Sequence, residues 1–137
     1  MLKTITWQRS DRPGYAVGWV VALVLVGTIC WLSLTSAPPQ GPDFPSADKF
    51  GHFLGYCCLS LWFGQLVHRF WPAIGIGLAL VALGIGLEWL QGLMGFRHAE
   101  WQDAVANTLG VFAGWLLCRT RMRLLWLQLT RLLAARF

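Results

Sequence analysis

The sequence predicts an all-α protein, an integral membrane four-helix bundle that carries an amphipathic helix at its C-terminus. Hydrophobic residues make up 56% of the 137 residues and charged residues only 12%, whereas roughly 25% of the residues of a soluble protein are charged. Four apolar segments approach the roughly 20 helical residues that cross a bilayer. Basic residues flank these segments more often than they interrupt them, which is typical of membrane proteins.

The four predicted spans belong to one domain, residues 1–118. The first span, at about 15–35, lies in a stretch without any charge between Arg12 and Asp43. The other three lie at about 50–67, 72–95 and 101–118. The basic start of the chain is similar to a signal peptide, but its apolar run exceeds the roughly 7 to 15 residues of such a segment. We therefore expect an uncleaved first span.

The basic residues also predict the orientation of the chain. Nine of the eleven lysines and arginines lie before the first span, in the turn at Arg69 or after residue 118, and the other two are Lys49 and Arg97. Positive charge marks cytoplasmic loops. We therefore expect a multi-pass plasma membrane protein with both termini in the cytoplasm and the loops at about 36–49 and 96–101 outside.

The tail, residues 119–137, is too charged to span a membrane, yet its apolar residues recur near helical spacing. These residues are Met122, Leu125, Trp126, Leu129, Leu132, Leu133 and Phe137. The spacing fits either an amphipathic helix on the cytoplasmic surface or a continuation of the fourth span. The partner expected for the tail's arginines is anionic lipid, and no nucleic acid partner is expected despite the net charge of +5.

Polar residues that are unusual in a membrane collect at the predicted outer end of the bundle. They are Asp48, Lys49, His52 and Tyr56 in the second span, Glu88 and Gln91 in the third, Arg97 in the loop, and Asp103 and Asn107 in the fourth. Residues four apart share one side of a helix, so three helices can bring these groups together. Charged groups are costly in hydrocarbon and mark functional sites when they persist.

Glycines lie on the same faces and predict close helix packing, because a missing side chain lets two backbones approach. The pairs are Gly51 and Gly55, Gly84 and Gly95, and Gly110 and Gly114. Glu88 needs a partner inside the membrane, and Arg97, His52 and Lys49 are the candidates. Asp48 and Asp103 also stand where a helix N-terminus favours an acid, so capping is an alternative explanation for both.

The order of these motifs resembles the VanZ-like family of small bacterial membrane proteins over about residues 45–118. The matching stretches are "DKFGH" at 48–52, "EWLQ" at 88–91, Arg97, and "DAVANTLG" at 103–110. The resemblance implies a bacterial membrane protein of four or five spans. Since the founding member is associated with low-level resistance to the glycopeptide teicoplanin, it also implies a role in the cell envelope, while most members have no assigned reaction.

Two functional hypotheses lead. The outer pocket binds or modulates an envelope lipid, a lipid-linked cell-wall precursor or a glycopeptide-type antibiotic through Asp48, Lys49, Tyr56, Gln91, Arg97, Asp103 and Asn107. Alternatively, the protein is an intramembrane enzyme acting on such a molecule, with His52 and Glu88 as acid and base. A purely structural cluster is a third possibility, and transport ranks last because the inner halves of the spans lack ionisable groups. No cofactor is expected, and no metal spacing such as H-E-x-x-H occurs.

Overall fold

A computed structural model describes residues 12–37, 46–95, 100–120, 122 and 125–134. The described residues form five helices and no strand, so the predicted all-α class is confirmed for this part of the chain. The helices are α1 (Arg12–Leu34), α2 (Ala47–Leu66), α3 (Phe70–Met94), α4 (Trp101–Leu117) and α5 (Leu125–Ala134). The four apolar segments of the sequence lie on α1 to α4 in that order.

Helices α2 and α4 form the most closely packed pair. A Cβ atom at Gly110 would collide with the carbonyl oxygen of Phe53, and a Cβ atom at Gly114 would collide with that of Cys57. The Ser60 hydroxyl donates a hydrogen bond to the Val111 carbonyl at 2.8 Å across the same contact. The backbones of these two helices therefore touch directly, which only glycine allows.

The glycine prediction is confirmed in part. Gly84 faces Tyr56 and Asn107, and Gly55 faces a methyl group of Ile29. At Gly51 and Gly95, however, an added Cβ would meet nothing within 4 Å, so the prediction of a close contact is wrong at both. Gly95 instead ends α3 with a φ of 73°, a left-handed conformation that glycine adopts without strain.

The hydrophobic core lies where α2, α3 and α4 meet. Its buried members are Tyr56, Leu59, Leu80 and Val111, and apolar residues of α1 pack against them. Outside this core the helices expose large apolar side chains, such as Leu23, Val24, Leu78 and Trp89. An apolar surface of this extent suits a solvent that is itself apolar.

Two of the described helices, α1 and α3, are long and apolar enough to cross a membrane. In each, only 17% of the most apolar window is buried within the protein. The other two helices of the bundle differ in length and composition, because α4 has 17 residues and α2 begins with Asp48, Lys49 and His52. Length and composition of the described helices thus support a membrane protein in general terms, with α1 and α3 as the candidate spans.

The tail forms a helix of its own. Helix α4 ends at Leu117, and α5 begins at Leu125, so α5 is not a simple continuation of α4. The backbone N–H of Trp126 donates to Gln65 Oε1 at 2.7 Å, and its indole N–H donates to the Gly14 carbonyl at 3.1 Å. Leu127 is 1% exposed. These contacts attach α5 to both α1 and α2.

Candidate functional site

Four acidic residues, one lysine and one histidine lie at the end of the bundle where α2 and α4 begin and α3 ends. We call this region the polar end. Its described members are Asp48, Lys49, His52, Glu88, Gln91, Glu100, Asp103 and Asn107. At the opposite end, Gln65 is the buried polar residue of α2. The acidic residues, the lysine and the histidine of α2 to α4 thus lie together at the polar end.

His52 joins α2 to α4 at the polar end. Its Nδ1 lies 3.1 Å from Asn107 Oδ1, which is a hydrogen bond in which the imidazole N–H donates to the amide oxygen. Its other nitrogen, Nε2, lies 3.9 Å from Asp48 Oδ1. Because Nδ1 carries the proton in this arrangement, Nε2 of the neutral ring is left with its lone pair.

Lys49 makes a second connection between the same helices. Its Nζ donates to Glu100 Oε2 at 2.7 Å and lies 3.8 Å from Asp103 Oδ1. The hydrogen bond to Glu100 is the main cause that raises the pKa of Lys49 above its ordinary value of 10.5. Lys49 is therefore a cation throughout the physiological pH range.

Asp103 is the least exposed acidic residue of the polar end, at 4% exposure. It lies in the first turn of α4 and faces α2, since Lys49 and His52 are its neighbours there. Its Oδ1 is buried and accepts no hydrogen bond from the described residues. One ligand atom each from Asp48, His52 and Asp103 lies within 4.8 Å of the others, so these three side chains converge on one point.

Glu88 connects the end of α3 to the start of α4. Its Oε1 accepts a hydrogen bond from the backbone N–H of Glu100 at 2.7 Å, and the residue is 6% exposed. Glu100 stands at the N-terminus of α4, where the first amides have no partner inside the helix. A carboxylate at this position is favoured by the free amide and by the helix dipole.

Gln91 connects α3 to α1. Its Nε2 donates to the backbone carbonyl of Ser33 at 2.6 Å, and Gln91 is 3% exposed. Helix α1 ends at Leu34, so the Ser33 carbonyl is among the last carbonyls of the helix. These carbonyls have no N–H donor within the helix. The amide of Gln91 thus satisfies a helix end that would otherwise be buried without a partner.

Tyr56 lies beneath these groups, in the core. It is 1% exposed and packs over Gly84 next to Asn107. Its hydroxyl is buried and has no hydrogen-bond partner among the described residues. Of the predicted ligand-binding residues, Tyr56 is therefore the deepest.

The structure brings seven of the nine predicted site residues to the polar end and places Tyr56 beneath them in the core. Arg97 lies in the segment 96–99, outside the described residues. Two participants were missed by sequence reasoning: Glu100, which binds both Lys49 and Glu88, and the Ser33 carbonyl. Glu100 could have been found from its position, three residues before Asp103 at the start of a helix. The Ser33 carbonyl could not, because a backbone carbonyl leaves no signal in the sequence.

The charges at the polar end do not balance. Asp48, Glu88, Glu100 and Asp103 are four of the six acids in the chain, and Lys49 is the lysine among the described members of the polar end. With a neutral His52, four negative charges and one positive charge leave a formal charge of −3 on these described residues, although the whole chain carries +5. The polar end is thus a local excess of carboxylate in a basic protein.

Comparison with known proteins does not identify a relative of this chain. The chain matches no family model, no curated protein and no solved structure.

Proposed function

We propose that this chain is a VanZ-like integral membrane protein of the bacterial envelope. In this proposal its polar end faces the outside and binds the head group of an envelope lipid, a lipid-linked cell-wall precursor or a glycopeptide-type antibiotic. The observation that carries the proposal is the network of buried polar side chains at one end of helices whose remaining surface is apolar.

The apolar surface supports the membrane. Several valines and leucines on α1 and α3 are half to two-thirds exposed, and only 17% of each apolar window is buried within the protein. Water would oppose such exposure, whereas lipid tails do not. We propose that α2 and α4 cross as well, because they pack between the two apolar helices and share their core.

The basic residues support the orientation. Nine of the eleven basic residues come before or at the start of α1, at position 69 or after α4 in the sequence. The described ones among them, Arg12, Arg69, Arg119 and Arg131, lie away from the polar end. By the positive-inside rule the polar end then faces outward, and α5 lies at the cytoplasmic surface, where its arginines attract anionic lipid. The exposed leucines 125, 129, 132 and 133 of α5 supply the apolar face that enters such a surface.

The chemistry of the polar end fits a polar head group. Carboxylates and amides accept and donate hydrogen bonds to sugar hydroxyls and peptide amides, while Lys49 and Arg97 provide positive charge for a phosphate. The order of the VanZ-like motifs in the sequence supports the choice of an envelope molecule. Four motif residues join α2 to α4, since Lys49 approaches Asp103 and His52 binds Asn107.

Thermal stability in detergent tests this proposal. The full-length protein is mixed separately with phosphatidylglycerol, with a lipid-linked cell-wall precursor and with teicoplanin, and its melting temperature is followed by tryptophan fluorescence. We expect one of the three to raise the melting temperature in a saturable manner. Glu88→Gln should abolish the rise, whereas Gln102→Ala, an exposed residue of α4, should retain it. If none of the three changes the melting temperature, or if Glu88→Gln responds fully, the proposed site is wrong.

Membrane orientation has a separate test. A cysteine at Gln102 should react with a membrane-impermeant maleimide added to intact cells, whereas one at Gln128 of α5 should react only after the membrane is opened. The reverse labelling pattern would contradict the proposed orientation and would not bear on the proposed head-group site.

An intramembrane enzyme is the second candidate, and one observation favours it. The hydrogen bond to Asn107 fixes the proton of His52 on Nδ1, so Nε2 is available as a general base, with Asp48 beside it. An enzyme would change the mass of a lipid or precursor pool when the protein is produced, and His52→Gln would prevent the change. A binding protein would leave every pool unchanged.

A further inference from the structure

We propose that Asp48, His52 and Asp103 bind one divalent metal cation of the Zn²⁺ type at the polar end. The inference rests on the site of the proposed function but not on the identity of its ligand. Two of the three residues come from α2 and one from α4, so the site exists only when these helices are packed together.

The distances are close to those that a metal requires. One ligand atom from each residue lies within 4.8 Å of the others. Two ligands of a tetrahedral Zn²⁺ are separated by about 3.4 Å, since each bond is about 2.0–2.1 Å. Closing the difference requires a small movement, which the Asp48 side chain can make because it is 59% exposed.

The histidine is already oriented as a ligand. Protein histidines that bind metals donate their second N–H to a carbonyl, carboxylate or similar acceptor, which fixes the tautomer and the plane of the ring. His52 donates from Nδ1 to Asn107 Oδ1 at 3.1 Å and directs Nε2 towards the Asp48 side. The His52 side chain is 12% exposed, so packing also holds the ring in place.

Asp103 supplies an independent indication of a ligand. Its residue is 96% buried, and its Oδ1 accepts no hydrogen bond from the described part of the chain. The Lys49 ammonium is 3.8 Å away, beyond hydrogen-bond distance, and donates to Glu100 instead. A buried carboxylate oxygen without a donor is costly, and a metal ion bound at Oδ1 removes that cost.

The charges fit a divalent ion. Lys49 and Glu100 form one neutral pair at 2.7 Å. Once this pair is set aside, Asp48 and Asp103 with a neutral His52 carry a charge of −2, which a divalent cation neutralises. The same cation also bears on the proposed function. Without it, the excess of carboxylates at the polar end would repel a phosphate head group.

The ligand types favour a transition metal. Carboxylates alone suit Mg²⁺ and Ca²⁺, whereas an imidazole favours Zn²⁺, and affinity along the first-row series rises towards Zn²⁺ and Cu²⁺. Three protein ligands leave a fourth position open in a tetrahedral site, where a phosphate oxygen or a water molecule can bind. The open position would lie at the exposed Asp48 side of the cluster.

Metal titration of the full-length protein in detergent tests the site without any lipid. The protein is treated with EDTA, transferred to chelator-free buffer and titrated with Zn²⁺ in competition with a chromophoric chelator. We expect one Zn²⁺ per chain. Asp48→Asn should weaken the affinity at least tenfold while leaving the metal-free melting temperature unchanged, because Asp48 is exposed. Gln102→Ala should bind as the unaltered protein does.

Cysteine is the main competing ligand and needs its own control. The four cysteines form no disulfide bond, and Cys58 is exposed, so Cys58→Ser should keep the stoichiometry and the affinity. Co²⁺ bound in place of Zn²⁺ should show ligand-field bands without a thiolate charge-transfer band. Absence of stoichiometric binding, full affinity in Asp48→Asn, or loss of binding in Cys58→Ser would each overturn the inference.

The two proposals fail separately. If the melting temperature rises with one of the three envelope probes in EDTA while Zn²⁺ does not bind, the metal site is wrong and the head-group site stands. If Zn²⁺ binds with the expected stoichiometry but no probe changes the melting temperature with or without the metal, the metal site stands and the proposed ligands are wrong.

Discussion

Gly110 of α4 lies directly against the carbonyl group of Phe53 in α2, with no space for a side chain between the two helices. The neighbouring atoms at the same contact also belong to the α2 backbone, since a Cβ at Gly110 would lie 3.1 Å from the amide nitrogen of Cys57. This contact sets the separation of α2 and α4, and therefore the distance from Asp48 and His52 to Asp103 and Asn107.

Replacement of Gly110 by alanine should separate α2 from α4. Backbone atoms cannot move aside as a flexible side chain can, so we expect a loss of about 1–3 kcal/mol in the free energy of unfolding. Gly86→Ala is the matched control, because a Cβ there meets nothing within 4 Å and alanine is the better helix former. Thermal unfolding in detergent measures both. Equal melting temperatures for the two variants would contradict the close contact.

Glu88→Gln should preserve stability, whereas Glu88→Leu should not. The amide oxygen of glutamine can still accept the hydrogen bond from the Glu100 backbone N–H, but leucine removes the acceptor from this part-buried donor. The loss expected for leucine is about 1–3 kcal/mol. Melting temperatures of the two variants at the same pH check this. A much lower melting temperature for Glu88→Gln would mean that the charge itself holds the helices together and that the polar end is chiefly structural.

Asn107→Leu should change the tautomer of His52. The Asn107 amide oxygen is the acceptor for Nδ1, so its removal frees the ring to carry its proton on either nitrogen. Nitrogen NMR of protein labelled at histidine distinguishes the two forms, and His68 and His98 serve as internal references. An unchanged His52 spectrum in the variant would show that another group sets the tautomer.

Gln91→Leu should weaken the attachment of α1 to α3. The substitution removes the donor to the Ser33 carbonyl, and hydrogen bonds between membrane helices contribute about 0.6 kcal/mol on average and up to about 1.7. Hydrogen exchange followed by mass spectrometry should become faster at the C-terminal end of α1. Gln102→Leu, at an exposed position of α4, should leave that exchange unchanged.

Gln65→Leu should loosen α5. Gln65 Oε1 accepts from the backbone N–H of Trp126, so leucine leaves the first turn of α5 without this connection to α2. We expect faster hydrogen exchange over residues 125–134 and little change in α3 and α4. Gln128→Ala, exposed on α5 itself, is the control. Equal exchange in the two variants would place the attachment of α5 in Leu127 and the Trp126 indole.

Helical periodicity was enough to place Asp48 with His52 on α2, and Asp103 with Asn107 on α4. Helical periodicity could not show which helices pack against each other. The hydrogen bond from Lys49 to Glu100, for example, depends on how the start of α4 approaches α2. The three proposed metal ligands were not recognised for the same reason, since no single segment contains all three.

The tail shows a second limit of sequence reasoning. The leucines of its apolar stripe remain exposed at 125, 129, 132 and 133, whereas Leu127, which lies off that stripe, is the residue that the bundle buries. Periodicity identifies an apolar face but not which face meets the protein and which the lipid. In α2 and α4, the polar residues of the site likewise reduce the hydropathy by which a span is recognised.

The hydrogen bond from the Trp126 indole to the Gly14 carbonyl joins residues that are 112 positions apart. At a synthesis rate of about 5–20 residues per second, Gly14 leaves the ribosome roughly 5 to 20 s before Trp126 does. Throughout that interval α1 lacks its contact with α5 and is held at this end by α2, where the Trp62 indole donates to the Gly18 carbonyl. A chain interrupted before residue 126 therefore lacks the connection between α1 and α5.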